Sequence, residues 1–399
     1  MSVLAFINER FHQSVREIRE DQEDVYGLPF PYTVPSPGDI FDCMFYWDTH
    51  FTNVGLIPSG RIQQAIYNTD NIRHMIERFG YMPNGTKRHF LKKSQPPLYY
   101  RMVADIYDVT KDRAWLASHY DSIAKEYGFW MTQRLAPNGL NYYGNVQLSA
   151  SEEADHLYGY WKTRMPGLDT AEKAQVVDLG CTLGESGWDC CYRFELQGPC
   201  YNPVDLNALL YGLEITMEKF SGILGRGQEG IWNARAASRK EKMDRWLFSQ
   251  EKGFYMDWNY EQRRHSPVVS AASLFPLYVG LTHDPEAIMG VLEKALLLPH
   301  GVTCTTKDSG NYGLQWEYPN IWAPLQYVAY MACENAGRSD LAKQIASRYR
   351  AMLESNFAKT GNLWEKYDGN TGQVVNAEYT APTMMGWTAG VYLAFAFLQ

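Results

Sequence analysis

Apolar residues recur along this chain mainly at helical spacing. One stripe follows Asp205, which is placed to cap the helix N-terminus, and a second follows Ser339. The first contains Leu206, Leu209, Leu210, Leu213, Met217 and Phe220, and the second contains Leu341, Ile345, Tyr349 and Met352. Similar stripes predict helices over residues 4–20, 61–79, 97–108, 111–133, 228–247, 285–298, 321–336 and 384–398. The pattern therefore predicts ten or more helices.

The segments between these helices are rich in Gly, Pro, Asn and aromatic residues, and strand-like alternation is short, as at 253–258. Paired helices without intervening strands predict an all-α toroid rather than a parallel α/β sheet. An α-solenoid is the alternative, but it should show sequence repeats, and no strict repeat is present.

No low-complexity linker divides the chain, so residues 1–399 are expected to form one catalytic domain. The longest stretch with poor periodicity is about 136–188. It is either a subdomain or, as we expect, a set of loops that cover a site as a lid.

Composition narrows the class of protein. The 37 Lys and Arg against 45 Asp and Glu give a net charge of −8, which argues against a nucleic-acid partner. No apolar run approaches the roughly 20 residues that cross a bilayer, so we expect no membrane partner. The 12 Trp, 28 Tyr and 17 Phe are consistent with a large core or with a cleft that stacks sugar rings.

The cellular compartment is predicted from the N-terminus and the cysteines. Only Val3 to Ile7 is apolar before charged residues resume, which is too short for a signal peptide. Seven cysteines without a CxxC pair suggest reduced thiols. Together these features predict a cytoplasmic protein.

Several common site motifs are absent from the sequence. No GxGxxG or Walker A sequence opens a helix, and no HExxH, HxH or GxSxG pattern is present. We therefore expect neither a nucleotide cofactor nor a metal.

Acidic and aromatic residues instead concentrate in five loop segments, namely 41–51, 81–97, 185–189, 315–324 and 376–387. In three of these segments an acid stands directly after a Trp, at Trp47-Asp48, Trp188-Asp189 and Trp316-Glu317. Trp offers a stacking face, and the carboxylate offers a hydroxyl acceptor or a proton-transfer group. An Asp in such a loop is also a common helix cap or turn former.

Glycoside hydrolysis requires two carboxyl groups, one protonated and one ionised. Asp189 and Glu378 form the best pair, because Trp188 can desolvate Asp189 and raise its pKa. Asp48 and Glu317 are competing candidates.

Segments in order from about residue 35 to the C-terminus match the motifs of one enzyme family. Two are identical to family motifs, ESGWD at 185–189 and PVDLNALLY at 203–211. The others are 37–48, 70–97, 315–326, 365–368, 378–379 and 386–391. On these residues the chain resembles the trehalases of glycoside hydrolase family 37 and the related family 63 hydrolases.

The resemblance implies an (α/α)6 barrel and an inverting α-glycosidase that acts on a small carbohydrate such as trehalose. It makes Asp189 the general acid and Glu378 the general base, with carboxyl groups roughly 6.5–9.5 Å apart. The residues expected to bind the sugar are Phe41, Trp47, Asp48, Asn84, Lys93, Gln95, Trp188, Gln315, Trp316, Glu317 and Trp387.

Departures from the family motifs leave the substrate open. The family's first-motif arginine falls on Ile40, and its RSQPP arginine falls on Lys93, which lacks the planar fork. A family 63-like hydrolase of glucosylglycerate or mannosylglycerate is the alternative, with Lys87, Arg88, Lys93 and Arg164 as candidate partners of a carboxylate. A sugar isomerase or epimerase, for which His50 is the only motif histidine, and a non-catalytic sugar-binding protein are further alternatives.

Overall fold

Helices dominate the computed structural model, which describes residues 1–38, 41–145, 147–168, 170–281, 283–309, 313–376 and 380–397. Within these ranges the helices are α1 (Val3–Arg10), α2 (Tyr46–Leu56), α3 (Ile62–Phe79), α4 (Tyr99–Thr110), α5 (Arg113–Gln133), α6 (Ala154–Lys162), α7 (Lys173–Ser186), α8 (Val204–Leu224), α9 (Glu229–Trp246), α10 (Phe275–Tyr278), α11 (Glu286–Val291), α12 (Ala323–Asn335), α13 (Ser339–Thr360) and α14 (Trp387–Phe397). Within the same ranges, no helix is both long and apolar enough to cross a membrane.

Six of these helices form a closed inner ring. Each packs against the next, in the order α2, α4, α8, α10, α12 and α14, and α14 packs back against α2. The buried residues of α8 include the whole apolar stripe that the sequence predicts, from Leu206 to Phe220. The helices α3, α5, α9 and α13 follow inner helices along the chain and pack against them from outside the ring. This arrangement is the predicted all-α (α/α)6 barrel.

The ring closes where the first and last inner helices cross. A Cβ atom built on Gly55 of α2 would lie 2.1 Å from the carbonyl oxygen of Gly390 in α14. A Cβ atom on Gly390 would lie equally close, at 2.1 Å, to the carbonyl oxygen of Phe51. The two backbones therefore touch, and only glycine fits at this crossing.

The strands are short and lie at the ends of the helices. They are β1 (Val15–Arg16), β2 (Tyr32–Thr33), β3 (Tyr201–Asn202), β4 (Phe248–Ser249), β5 (Phe254–Tyr255), β6 (Trp258–Asn259), β7 (Arg264–His265), β8 (Leu297–Leu298), β9 (Gly301–Val302), β10 (Asn320–Trp322) and β11 (Lys366–Asp368). The antiparallel pair β10–β11 matters for the site, because its register sets Trp322 opposite Lys366.

The helix boundaries differ from the sequence predictions in informative places. The helix predicted over 4–20 is wrong after Arg10, where the chain turns and enters β1. The helix predicted over 285–298 ends as regular α-helix at Val291, and a π-helical turn then leads into β8. The helix α2 has no predicted counterpart because all eleven of its residues are buried, which removes the apolar-polar alternation.

Candidate active site

A cavity of about 400 Å³ lies among the loops that carry the acid and aromatic segments. Its described lining includes eight of the residues expected from the sequence, namely Phe41, Trp47, Asp48, Asn84, Lys93, Gln95, Asp189 and Trp387. It also includes Lys87, His89, Tyr160, Trp161, Arg164, Trp322 and Glu365. A cavity of this size and mixed polarity suits a small polar ligand.

The first wall of the cavity is the N-terminus of α2, which carries Trp47 and Asp48. The Gln95 side-chain oxygen accepts a hydrogen bond from the Trp47 N–H at 3.1 Å. This bond satisfies one of the donors left open at a helix start. The Asn84 side-chain amide donates to the Gly184 carbonyl at 2.9 Å, which joins this wall to α7.

The second wall follows α7, which ends at Gly187. Gly187 has a φ of +75°, and a Cβ atom there would lie 2.7 Å from Cε2 of Trp47. Glycine therefore permits both the left-handed turn and the contact with the indole. The Ser186 hydroxyl accepts from the Trp188 N–H at 3.0 Å and fixes the turn that brings Asp189 to the cavity.

Glu185 holds several parts of the site together, although its place in the sequence motif predicted no role for it. Its carboxylate accepts backbone hydrogen bonds from Ser94 at 2.8 Å and Gly144 at 2.7 Å. The Arg134 guanidinium donates to both carboxylate oxygens, at 2.8 and 3.0 Å. The loop that carries Lys93 and Gln95 is thereby fixed to the helix that precedes Asp189.

The two cavity acids Asp48 and Asp189 are held toward their protonated forms. Burial raises the pKa of Asp189, and the nearby cations Lys93, Arg164 and Lys366 act in the opposite direction. Burial also raises the pKa of Asp48 well above its ordinary value, and the carboxylates of Glu365 and Asp189 raise it further. A carboxyl group of this kind can donate a proton at neutral pH.

A third carboxylate in the cavity lining belongs to Glu365, which precedes β11. Its Oε2 accepts a hydrogen bond from the Lys366 ammonium at 2.8 Å. The same ammonium donates to the Gln315 side-chain oxygen at 3.1 Å and lies 5.0 Å from the Trp322 ring centroid. This carboxylate therefore has a cation beside it.

Behind the cavity lies a layer of tryptophans. Trp316 stacks on Trp322 with ring centroids 4.1 Å apart and an interplanar angle of 5°. The rings of Trp47 and Trp188 both lie 5.5 Å from Trp316. Trp387 meets Trp322 edge-on at 5.7 Å. At the cavity surface, Trp47, Trp322 and Trp387 are thus each in contact with another indole.

Four of the residues expected to bind sugar lie outside the described lining. Trp188 and Trp316 are buried in the second layer. Gln315 holds Lys366, and Glu317 accepts a hydrogen bond from the Tyr192 N–H at 2.8 Å. The structure places all four where they support the wall instead of facing the cavity.

Glu378, the expected base, lies outside the residues that the structure describes. Glu365 is the acid that sequence reasoning missed, even though its segment matched the family. One observation would have found it: Trp364-Glu365 is a fourth Trp followed directly by an acid. Three acids of this kind, Asp48, Asp189 and Glu365, line the cavity.

The region 136–188 contributes α6 and the residues after it. Trp161 and Arg164 line the cavity, and a Cβ on Gly180 of α7 would lie 2.1 Å from Cδ1 of Trp161. Within this region α6 therefore packs on α7, and the residues at its C-terminal end reach the site.

His50, the histidine considered for an isomerase, is fully buried and lies outside the described lining. Its Nε2 is 3.0 Å from the Tyr278 hydroxyl, and burial lowers its pKa to about 3. This histidine is therefore a neutral core residue.

Residues 6–398 match the trehalase family. A periplasmic trehalase of Pseudomonas aeruginosa is 34% identical over 398 residues, which span 92% of this chain and 70% of the relative. A periplasmic trehalase of Xanthomonas oryzae pv. oryzae is 31% identical over 402 residues, which span 92% and 68%.

Two solved structures have similar folds. The neutral trehalase Nth1 from Saccharomyces cerevisiae superposes with a TM-score of 0.76 at 24% identity, covering 93% of this chain and 74% of that one. A GH63 mannosylglycerate hydrolase from Thermus thermophilus superposes with a TM-score of 0.65 at 15% identity, covering 92% and 96%.

The expected cytoplasmic location is wrong, because these relatives are named periplasmic trehalases. The cysteine content does not indicate the cellular compartment, for a physical reason. All seven are buried thiols, and a buried thiol packs as a small apolar group. Their number and spacing therefore reflect core packing and do not report the compartment.

Proposed function

The chain belongs to the trehalase family of glycoside hydrolases, and from this premise we propose that it hydrolyses trehalose with inversion at the anomeric carbon. The observation that carries the proposal is the place of Asp189 in the cavity lining as a carboxyl group with a raised pKa. An inverting mechanism requires a protonated carboxyl group of this kind together with a second, ionised carboxylate.

Asp189 is the proposed general acid. Its pKa is raised by burial, so the proton is retained until the glycosidic oxygen takes it. Lys93 and Arg164 face the same carboxyl group and stabilise the carboxylate that forms after donation.

Glu378, which the family resemblance implies, is the proposed general base. Glu365 is the second candidate for this role. Lys366 donates a hydrogen bond to the Glu365 Oε2 at 2.8 Å, which favours the ionised form that can take a proton from water.

Phe41, Trp47 and Trp387 provide apolar faces for one glucose ring, and Asp48, Asn84 and Gln95 provide hydroxyl partners. Trp161 and Arg164 border the same cavity from the region 136–188. We propose that this region covers the second sugar. Hydrogen exchange of 154–165 with and without a non-hydrolysable trehalose analogue tests the idea, and unchanged exchange contradicts it.

A glucoside or mannoside of glycerate is a second candidate substrate. The observation that favours it is the presence of three cations in the lining, Lys87, Lys93 and Arg164, any of which suits a carboxylate. The purified protein is assayed on trehalose, other glucobioses, glucosylglycerate and mannosylglycerate, and NMR identifies the first product anomer. Release of β-glucose together with α-glucose from trehalose supports the proposal, and release of α-glucose alone contradicts inversion.

Two variants test the roles of the carboxyl groups. Asp189→Asn should lose trehalose hydrolysis but keep hydrolysis of α-glucosyl fluoride, whose leaving group needs little protonation. Glu378→Ala should lose both activities, and azide should restore turnover with formation of β-glucosyl azide. Glu365→Ala is the matched variant. If azide rescues Glu365→Ala and not Glu378→Ala, the base is Glu365.

The names of the relatives support a periplasmic location for this protein. Fractionation of the native host tests it, and recovery of the activity with cytoplasmic markers contradicts it.

A further inference from the structure

A second cavity, of about 460 Å³, lies between the C-terminal half of α5 and the loops that follow α3 and α5. Its described lining shares no residue with that of the cavity that contains Asp189. Three cations belong to this lining, Lys92, Lys125 and Arg134, and its described residues include no Asp or Glu. The whole chain has a net charge of −8, so the cavity is a local concentration of positive charge that favours an anion.

Arg134 is a buried cation with unused hydrogen-bond donors. Its side chain is only 6% exposed. A guanidinium group has five N–H donors, and three of them go to the Glu185 carboxylate and the Gln133 carbonyl. Among the described residues the other two have no acceptor. Because a buried N–H group without an acceptor is costly, an acceptor is expected from the cavity that Arg134 lines.

The two lysines of the cavity also have donors that a ligand can use. The Lys125 ammonium donates to the Glu77 carbonyl at 2.7 Å and has two further N–H groups. The Lys92 ammonium pairs with Glu153 at 2.6 Å, and both side chains are about half exposed. An exposed pair of this kind contributes little to stability. An anion in the cavity can therefore replace Glu153 as the partner of Lys92.

Contacts within the protein hold the cations in place. Phe129 stacks on Tyr81 with ring centroids 4.3 Å apart and an interplanar angle of 14°. The guanidinium carbon of Arg134 lies 4.9 Å from the Phe129 ring centroid. The Asn145 side-chain amide donates to the Lys92 carbonyl at 2.9 Å, which fixes the loop that carries Lys92. Little ordering is then needed when a ligand binds, which favours affinity.

The carboxylates nearest to the cavity are bound elsewhere. Glu185 lies behind Arg134 and accepts the backbone hydrogen bonds described above. The Glu77 carboxylate accepts from the Ser122 hydroxyl at 3.2 Å and lies 3.6 Å from the Arg73 guanidinium. Neither residue is part of the described lining. The positive charge of the cavity is therefore not neutralised from within.

We propose that this cavity is a binding site for a small molecule that carries a phosphate group. A phosphate group offers several strong acceptor oxygens and nearly two negative charges at pH 7, which match one guanidinium and two ammonium groups. A volume of about 460 Å³ lies within the range of small-molecule sites, so the cavity has room for a phosphate ester as well as for free phosphate.

The test is isothermal titration calorimetry with inorganic phosphate, with the ionic strength held constant by sodium chloride. Phosphate should bind the wild-type protein at one site, and Lys125→Gln should weaken this binding at least tenfold. Lys92→Gln, on a different segment, is the second variant and should weaken it severalfold. Absence of binding, or binding that both variants keep in full, overturns the proposal.

The matched control is Lys87→Gln, which removes a lysine from the lining of the cavity that contains Asp189. This variant should bind phosphate with an affinity within twofold of wild type. Loss of binding in Lys87→Gln overturns the proposal, because the anion then depends on the catalytic cavity. The calorimetry needs no enzymatic activity, so its result is independent of the proposed function.

A parallel titration with glucose 6-phosphate distinguishes the two sources of the phosphate group. Only the binding that Lys125→Gln removes is assigned to this cavity. If that component is tighter for glucose 6-phosphate than for inorganic phosphate, the ligand is a phosphate ester. If the ester binds there no better, the ligand is free phosphate. Either result supports the site, and a component that Lys125→Gln leaves unchanged with both probes overturns it.

Discussion

Buried carboxyl groups lie on two sides of the Trp188 indole, and they differ in whether an arginine pairs with them. On one side, Arg193 donates to Asp205 at 2.8 Å through two nitrogens and to Asp257 at 2.6 and 2.7 Å. The guanidinium carbon lies 4.9 Å from the Trp188 ring centroid. On the other side, Asp189 opens on the cavity, and no Lys or Arg within the described ranges forms a salt bridge with it.

Pairing with Arg193 distinguishes the carboxyl groups that stabilise the fold from those that can take part in a reaction. Asp205 lies in the first turn of α8 and Asp257 precedes β6, so their shared arginine joins two elements to the loop after Asp189. All their oxygens are occupied, and they cannot exchange protons with a ligand. Asp189 has a raised pKa and faces the cavity, which makes its proton transferable.

The largest expected effect is on the structural side of this comparison. Arg193→Met leaves Asp205 and Asp257 buried without a cation, and the free energy of unfolding should fall by about 3–5 kcal/mol. Urea denaturation followed by circular dichroism measures the change. Arg193→Lys is the control, which keeps the charge but loses the fork and should lose less. Equal stability of Arg193→Met and wild type would contradict the structural role.

A substitution at Asp189 should lower activity without lowering stability. Asp189→Asn should lower kcat for trehalose about a thousandfold, which corresponds to about 4 kcal/mol of activation free energy. Because burial raises the pKa of Asp189, its neutral amide should leave the free energy of unfolding unchanged or increased at pH 7. Steady-state kinetics and urea denaturation are measured on one preparation of the variant. A stability loss as large as that of Arg193→Met would contradict the distinction between structural and reactive carboxyl groups.

Glu126 on α5 sharpens the comparison, because it is a buried carboxyl outside the described cavity lining. Burial raises its pKa to about 8 from an ordinary 4.5. Between these values the folded state holds a proton that the unfolded state has lost, so stability falls as the pH rises from 4.5 to 8. Glu126→Gln should be more stable than wild type at pH 9, by on the order of 3 kcal/mol, and similar at pH 4.5. Denaturation at both pH values checks this, and a constant difference would contradict it.

The smallest expected effect concerns the tryptophan layer between the two groups of acids. Trp316→Phe shortens the ring that stacks on Trp322 at 4.1 Å and should cost about 1 kcal/mol of stability. KM for trehalose should rise severalfold with little change in kcat, because the wall moves while the acids stay. A large fall in kcat at constant KM would show that Trp316 acts on the reacting groups.

The periodicity of apolar residues predicts well the helices that have one solvent-exposed face. The helices α3, α5 and α9 are outer helices, and the predicted bounds lie close to theirs. Periodicity fails at α2 and α7, which carry or precede the cavity acids and are buried on nearly all sides. The motifs marked the site residues of these segments, but the sequence predicted loops there and not helices.

The site was predictable to a similar degree. Trp47, Asp48 and Asp189 could be brought together from the sequence because each stands in a dense motif. The sequence could not distinguish residues that line the cavity from residues that support the lining, since Trp47 and Trp316 are each followed directly by an acid. Which indole lies at the cavity surface depends on how the six inner helices pack together.

The glycine crossing of α2 and α14 has a consequence for how the protein is made. Gly55 and Gly390 are separated by most of the chain, yet their contact closes the ring. While the ribosome is still translating, the helices already released can form only an open arc. The Asp48 carboxyl group on α2 therefore has no enclosing cavity until α14 leaves the exit tunnel. Activity thus requires the synthesis of α14, and a ribosome stalled before residue 387 should display a folded but inactive arc of helices.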